Sequence, residues 1–183
     1  GAVRGSKRLK ALAVRGDFKV EVADKRKLIE INRTIADHLK NGPCKGFAAY
    51  WGQFGTNAGI VGKIMSGDAG IKNWKGAPGI DFSEEEANAI MSDNYDGKYK
   101  VKKYACALCP VGCGAYYKVE DGKWPMAKTK RPEYETASAF GCLCLNSDIT
   151  SIMKCNDMCN EYGMDTMSVG PTVAWTIECF GEG

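Results

Sequence analysis

Three cysteines lie within one short segment of the chain, and this segment limits the possible folds and chemistry more than any other. Cys106, Cys109 and Cys113 have the spacing C-x2-C-x3-C. One tight loop can bring three such thiols to a single metal centre, because Pro110 fixes its own φ angle and Gly112 tolerates strained backbone angles. Cysteine thiolates hold iron–sulfur clusters, and a cubane [4Fe–4S] cluster takes four ligands. The spacing therefore favours an iron–sulfur site.

Zinc binding, disulfides and unligated thiols are the alternatives that spacing leaves open. Structural zinc sites usually use two separated ligand pairs, and the sequence has neither a second C-x2-C pair nor an H-x3-5-H pair. Disulfide frameworks are typical of shorter secreted chains, whereas this chain has 183 residues and an odd number of cysteines, nine. Both alternatives fit the sequence less well than iron and sulfur.

Composition excludes several classes of protein. A net charge of +3 is too small to indicate nucleic-acid binding. No run of about 18 apolar residues predicts a transmembrane span. The first residues, Gly-Ala-Val-Arg, lack the apolar region of a signal peptide. Together with many thiols, these features predict a cytoplasmic protein with one globular core.

Hydrophobic periodicity predicts a mainly helical fold with a few short strands. Asp24 is expected to cap the first long helix, Thr56 to cap a helix through Ile64, Ser83 to begin another helix, and Asp148 to cap a later one. Pro132 suits a first helical position. The predicted helices span 24–40, 83–92, 148–162 and 168–180, and the predicted strands lie at 9–14 and around 115–124, with an Asp-Gly turn in the latter.

Several polar segments have both a structural and a functional interpretation. The Gly-rich opening through Lys7 could offer N–H groups and a lysine to a phosphate, or form a turn before a strand. Gly163 can end one helix and Asp165 can cap the next, or the Asp165 carboxylate could bind N–H groups of a heterocycle.

The lysines from 98 to 103 could face solvent, favour a charged cluster, or attract an acidic electron carrier. The remaining paired thiols, Cys142, Cys144, Cys155 and Cys159, are expected in the core.

Four segments, in the same order, resemble the aldehyde ferredoxin oxidoreductase family of tungsten or molybdenum bis-pterin enzymes. Residues 1–11 are similar to the family's G-A-V-M-G-S-K-x-L-K-A segment, with Arg4 where Met is usual. The C-x2-C-x3-C segment matches the cluster motif, and residues 131–136 match R-P-E-Y-E-T. Residues 160–165 are similar to the pterin motif D-x-x-G-L-[D/C], with Asn160 replacing Asp and Met164 replacing Leu.

The resemblance implies that the chain is an internal segment of a longer enzyme. Residues 1–20 would end an N-terminal pterin-binding β domain, contributing its last strand. Residues 21–183 would form a multihelical domain that binds cluster and pterin and is incomplete at its C-terminus. The remaining domains of the parent protein would supply the fourth cluster cysteine and a second pterin motif. The isolated segment is accordingly expected to be inactive.

The resemblance also implies roles for individual residues. Cys106, Cys109 and Cys113 would bind a [4Fe–4S] cluster. Glu135, with Glu133 as second choice, would be the glutamate near the metal, able to take a proton from an attacking water. The residues expected to contact the tungsten (or molybdenum) bis-pterin are Arg4, Lys7, Asn160, Gly163 and Asp165.

The implied reaction is oxidation of a small aldehyde to a carboxylic acid, with electrons passing singly to ferredoxin or another electron-carrier subunit. Homo-oligomers are compatible with this assignment. One alternative within the family is the tungsten subunit of a class II benzoyl-CoA reductase, for which Cys179 is the candidate tungsten ligand. An alternative of another class is a small iron–sulfur electron-transfer module.

Overall fold

The computed structural model describes residues 2–18 and 20–181, and it divides after Ala48 into two compact units. The first unit contains helix α1 (Ala2–Ser6), helix α2 (Lys25–Lys40) and the start of helix α3 (Lys45–Phe54). The Asp24 carboxylate accepts a hydrogen bond of 2.9 Å from the Lys27 N–H, which confirms the predicted cap of α2.

The predicted strand at 9–14 is not formed. Residues 9–18 have no regular secondary structure, and Leu12 and Val14 are exposed. A strand needs a neighbour to pair its backbone N–H and C=O groups. Among residues 2–18 and 20–181, no strand pairs with this segment, so its apolar side chains alone do not make it extend.

The second unit holds the remaining elements, and its fold is mainly helical. Helices α4 (Ile60–Met65), α5 (Glu84–Ala89) and α6 (Ser92–Tyr99) precede a three-stranded sheet. Helix α7 (Tyr134–Phe140), a 3₁₀ turn (Cys142–Cys144), α8 (Ile149–Tyr162) and α9 (Thr166–Gly181) follow the sheet. Within the described ranges, no helix is both long and apolar enough to cross a bilayer.

The sheet is antiparallel, in the order β1 (Lys100–Tyr104), β2 (Gly114–Val119), β3 (Met126–Lys130). The predicted hairpin after the thiol segment is formed by β2 and β3, although its second strand begins at Met126, later than expected. The turn contains Gly122 with φ +91°, as the Asp-Gly signal predicts. One face of the sheet is buried against helices, including α8, through Ala115, Tyr117, Val119, Met126 and Thr129.

Several helix boundaries differ from the prediction because distant residues fix them. The α4 helix begins after Gly59 rather than at Thr56, whose hydroxyl bonds instead to Glu133. The predicted helix at 83–92 ends after Ala89, and α6 then begins at Ser92. At this break, the buried side-chain amide of Asn57 donates a hydrogen bond of 2.6 Å to the Ile90 carbonyl.

Pro132 does not occupy the first helical position that the sequence predicted for it. It precedes the N-cap, Glu133, because α7 starts at Tyr134, where the Thr56 oxygen accepts the first backbone N–H at 3.0 Å. The predicted caps of α5 and α8, Ser83 and Asp148, and the helix stop at Gly163 are all confirmed.

Candidate functional site

The thiol loop, residues 105–113, is the connection between β1 and β2. Its turn is closed by a 3.0 Å hydrogen bond from the Cys109 N–H to the Cys106 carbonyl. Gly112 has φ +64°, a backbone conformation that glycine adopts readily. The N–H groups of Gly112 and Val111 hydrogen-bond to the Cys109 sulfur and lower the pKa of this thiol. The loop therefore favours a thiolate at Cys109, the form that binds metals.

The other two thiols of the loop differ in environment. Cys113 is half-buried, and burial raises the pKa of its thiol, with a further contribution from the nearby Glu133 carboxylate. Cys106 is exposed. Among residues 2–18 and 20–181, no three or more cysteine, histidine or acidic side chains are gathered closely enough to hold a metal ion. Three thiols on one loop, with N–H groups directed at a sulfur, still form a donor set that suits an iron–sulfur cluster.

Glycines let the thiol loop pack closely on its surroundings. A Cβ at Gly52 of α3 would lie 2.9 Å from the Val111 carbonyl oxygen. A Cβ at Gly114 would lie 2.5 Å from the Tyr104 ring, so this ring covers the start of β2. These close approaches fix the loop to α3 on one side and to its own strands on the other.

Arg131 links the thiol loop to the interior of the second unit, a role that the sequence did not reveal. Its guanidinium donates to the carbonyl of Cys113, to the carbonyl of Gln53 at 3.0 Å, and to the carboxylate of Asp96 at 2.9 Å. The Arg131 and Asp96 side chains are each only 2% exposed. The Tyr117 hydroxyl donates to Asp96 at 2.7 Å, so the buried charges are also hydrogen-bonded.

The two candidate catalytic glutamates occupy different environments. Glu133 is half-buried, accepts a hydrogen bond from the Thr56 hydroxyl, and lies near Cys113 and Tyr104. Burial raises the pKa of both of these groups, and the Glu133 charge adds to the effect. Glu135 lies in the first turn of α7 and is exposed. The structure thus brings Glu133, rather than Glu135, next to the thiol loop.

Three of the candidate pterin residues, Asn160, Gly163 and Asp165, lie at the junction between α8 and α9. Gly163 has φ +67° and ends α8. The Asp165 carboxylate accepts a 2.7 Å bond from the Ser168 hydroxyl, and this bond lowers the pKa of Asp165. The Asn160 amide donates at 2.9 Å to the backbone carbonyl one turn earlier in α8. Gly163 thus ends α8, Asp165 lies at the start of α9, and Asn160 bonds within α8.

One hydrogen bond joins this junction to the acid motif. The hydroxyls of Thr136, which follows Glu135, and Thr166, which follows Asp165, are 2.9 Å apart. The first turns of α7 and α9 therefore lie side by side, and the second unit brings together three segments that are distant in the sequence: the thiol loop, the acid motif and the helix junction.

Arg4 and Lys7 belong to the first unit. The Arg4 guanidinium donates to the Lys10 carbonyl at 3.1 Å, and Lys7 is exposed just after α1. Of the cysteines outside the thiol loop, Cys142 and Cys159 are buried, Cys144 and Cys155 are half-buried, and Cys44 and Cys179 are exposed. Burial raises the pKa of Cys144 to about 11, as expected for a thiol in a core.

Comparison with known proteins assigns the chain to one protein family. Residues 30–183 match the family model described as aldehyde ferredoxin oxidoreductase, domains 2 and 3. The chain therefore belongs to the aldehyde ferredoxin oxidoreductase family, which confirms the resemblance seen in the sequence. The mainly helical fold agrees with this assignment.

Curated relatives match the chain along its whole length. The tungsten-containing aldehyde ferredoxin oxidoreductase of Pyrococcus furiosus is 35% identical over 185 residues, and that of Pyrococcus abyssi is 34% identical over 184. An aliphatic sulfonate oxidoreductase, WOR-like subunit, of Pyrococcus furiosus is 26% identical over 187 residues. In each case the match covers 100% of this chain but only 28% of the relative. The chain thus corresponds to about a quarter of an enzyme of this family.

Proposed function

We propose that the chain is part of a tungsten-pterin iron–sulfur oxidoreductase that oxidises aldehydes to carboxylic acids with ferredoxin as electron acceptor. The observation that supports this most is the convergence of three motifs in one unit. Arg131 holds the Cys113 carbonyl, Glu133 lies beside Cys113, and Thr166 joins the helix junction to the acid motif.

In this proposal, protein groups bind and orient the cofactor and the substrate and exchange protons, whereas the bound tungsten (or molybdenum) bis-pterin would supply the two-electron chemistry. Cys106, Cys109 and Cys113 would hold the cluster, with the N–H groups around Cys109 supporting its thiolate. Asp165, with its lowered pKa, would remain an acceptor for N–H groups of the pterin. Asn160 and Gly163 would shape that side of the site, and Arg4 and Lys7 of the first unit would bind phosphate.

The cluster assignment is tested by metal content and EPR of the full-length protein. Cys109→Ser should abolish the EPR signal of the reduced cluster, whereas Cys44→Ser, which alters an exposed cysteine outside the loop, should retain it. Equal loss in both variants would refute the assignment. Iron without tungsten or pterin would favour the electron-transfer module, and zinc would exclude both.

The acid motif is tested by comparing two isosteric variants in aldehyde oxidation. Glu135→Gln should lower kcat strongly with little effect on stability, because its side chain is exposed. Glu133→Gln should mainly lower stability and shift the cluster EPR signal, because the Thr56 hydroxyl and the thiol loop are next to it. Loss of kcat in Glu133→Gln alone would transfer the catalytic role to Glu133.

The pterin assignment is tested at Asp165. Asp165→Asn keeps the shape of the junction but removes a charged acceptor, so tungsten and pterin content should fall. Retention of both, with normal activity, would leave Asp165 as a helix cap only. The alternative as a benzoyl-CoA reductase subunit is tested with Cys179, which is exposed on α9: Cys179→Ser should remove tungsten only under that alternative.

The 183-residue chain alone should not oxidise aldehydes, since its loop supplies three thiolates where a cubane cluster takes four. Anaerobic reduction of benzyl viologen by the purified chain, with an aldehyde as substrate, measures this directly. Turnover like that of a complete enzyme would contradict the proposal that further domains are required.

A further inference from the structure

The outer face of the three-stranded sheet is strongly basic and adjoins the thiol loop. The three strands together contain six lysines and no acidic residue. Four of these lysines lie exposed on the face opposite the core, and we call this surface the lysine face: Lys102, Lys118, Lys128 and Lys130, with Tyr104 and Tyr116 between them.

The strand register concentrates the positive charge at the end of the sheet that carries the thiol loop. Tyr116 pairs with Lys102 on one side and with Lys130 on the other, so these three residues form a row across the sheet. The Lys128 ammonium lies 4.5 Å from the centre of the Tyr116 ring, and the Tyr104 ring lies 4.8 Å from it. A tyrosine surface is therefore bordered by cations on both sides.

At the other end of the sheet, acidic residues offset the charge. Lys118 pairs with Glu120 at 2.5 Å, just beyond the end of β2. Among the described residues, Lys102 and Lys130 are in no ion pair, and they lie in the row of the sheet nearer the thiol loop, where Glu133 is the acidic residue close to Tyr104. Exposed lysines on edge strands also discourage sheet-to-sheet association, but that role requires neither the tyrosines nor an unbalanced charge at one end.

We propose that the lysine face is the docking surface for a small acidic electron-carrier protein of the ferredoxin type. This inference rests on the proposed function, because a carrier is needed only if electrons leave through the thiol loop. Charge complementarity selects an acidic partner and speeds its encounter. The tyrosines at the centre and the lysines around them match the apolar centre and polar rim of transient protein interfaces.

The position of the face suits electron transfer. Cys113 immediately precedes β2, and Tyr116 lies three residues further along the chain, which corresponds to roughly 10 Å at 3.3 Å per residue. Oxidation of one aldehyde with one water gives a carboxylic acid, two electrons and two protons. Each docked carrier molecule is reduced by one electron, so two carrier molecules are reduced for each aldehyde oxidised, and the two protons pass to solvent.

The experiment uses the full-length holoenzyme carrying Lys102→Glu and Lys130→Glu, compared with Lys154→Glu and with Lys102→Arg plus Lys130→Arg. Lys154 is half-exposed on α8 and lies outside the sheet. Reduction of an acidic ferredoxin is measured against reduction of benzyl viologen, a small dye that needs no docking surface, so that the ratio corrects for cofactor content.

The Glu pair should lower the ratio of ferredoxin kcat/KM to dye kcat/KM about tenfold or more at low salt and weaken its salt dependence. The Arg pair and Lys154→Glu should keep the wild-type ratio. An unchanged ratio and salt dependence in the Glu pair would refute the docking surface and leave the lysines as edge protection or as a contact with another domain.

Ferredoxin binding, measured by calorimetry without substrate, separates this inference from the proposed function. Binding that weakens in the Glu pair supports the docking surface even if no aldehyde is oxidised. Aldehyde oxidation with the dye, together with binding that does not depend on these lysines, overturns the docking surface while the proposed enzyme stands.

Discussion

Replacement of Arg131 by Met should be among the most damaging changes in the chain. The substitution leaves the Asp96 carboxylate buried at 2% exposure without its guanidinium partner. Removing one partner of a buried ion pair costs about 3–5 kcal/mol. Lys100 remains in contact with Asp96 from the edge of the site, which moves the expected loss towards about 3 kcal/mol. The Gln53 and Cys113 carbonyls also lose a charged donor.

A double-mutant cycle distinguishes the charge effect from the loss of packing. Arg131→Met, Asp96→Asn and the combined variant are unfolded in urea as full-length protein. The combined variant should be less destabilised than the sum of the single variants by about 1–3 kcal/mol, since both fully buried charges are removed together. Iron content and the EPR signal should change in Arg131→Met, because the Cys113 carbonyl is released.

The matched control is Lys118→Met, which breaks the Lys118–Glu120 ion pair. That pair is largely exposed, with 51% and 74% of the side-chain surfaces accessible. Exposed pairs contribute about 0–1 kcal/mol, so this variant should be close to wild type. If Arg131→Met were no worse than Lys118→Met, or if the cycle were additive, the buried pair would not be the link between thiol loop and core.

The further predictions concern two glycines and the cap of α5. Gly163→Ala should cost about 1 kcal/mol in urea unfolding, since φ is +67° but nothing lies within 4 Å of the new Cβ. Gly55→Ala should cost distinctly more, because φ is +82° and the Cβ would lie 2.5 Å from the Arg131 Nε; equal costs would contradict this reasoning. Ser83→Ala should cost about 1 kcal/mol through loss of the α5 cap. Hydrogen bonds from the Ser83 N–H and hydroxyl lower the pKa of Glu86 below its usual 4.5. The stability difference between wild type and Glu86→Gln should therefore be full above pH 4.5 and should decrease as the pH falls through the lowered pKa. A difference that grew on acidification would contradict this assignment.

The features that the sequence predicted well are those that depend on a few neighbouring residues. The caps at Asp24, Ser83 and Asp148 and the helix stop at Gly163 each involve hydrogen bonds within five residues along the chain. Such bonds follow from residue type and spacing, so reading them needs no knowledge of tertiary packing.

The features that the sequence missed depend on partners far along the chain. Thr56 looks like a helix cap for its own segment, but its hydroxyl bonds to Glu133 and caps α7, some 77 residues later. Arg131 and Asp96 are 35 residues apart in the chain, and no sequence motif predicts that they form an ion pair. The apolar run at 9–14 was predicted as a strand because periodicity alone does not reveal whether a pairing strand is present.

The thiol loop combines hydrogen bonds between neighbouring residues with contacts to residues far along the chain. From Cys109 to Cys113 the backbone is held by its own N–H groups, by the close approach of Gly52 and by the guanidinium of Arg131. Cys106 lies exposed on the other half, where its carbonyl accepts the Cys109 N–H, and its charge adds to burial in raising the pKa of the Cys113 thiol. The conformation of the loop around Cys109 and Cys113 therefore depends on Gly52 and Arg131, which are distant in the sequence, as well as on the cysteine spacing.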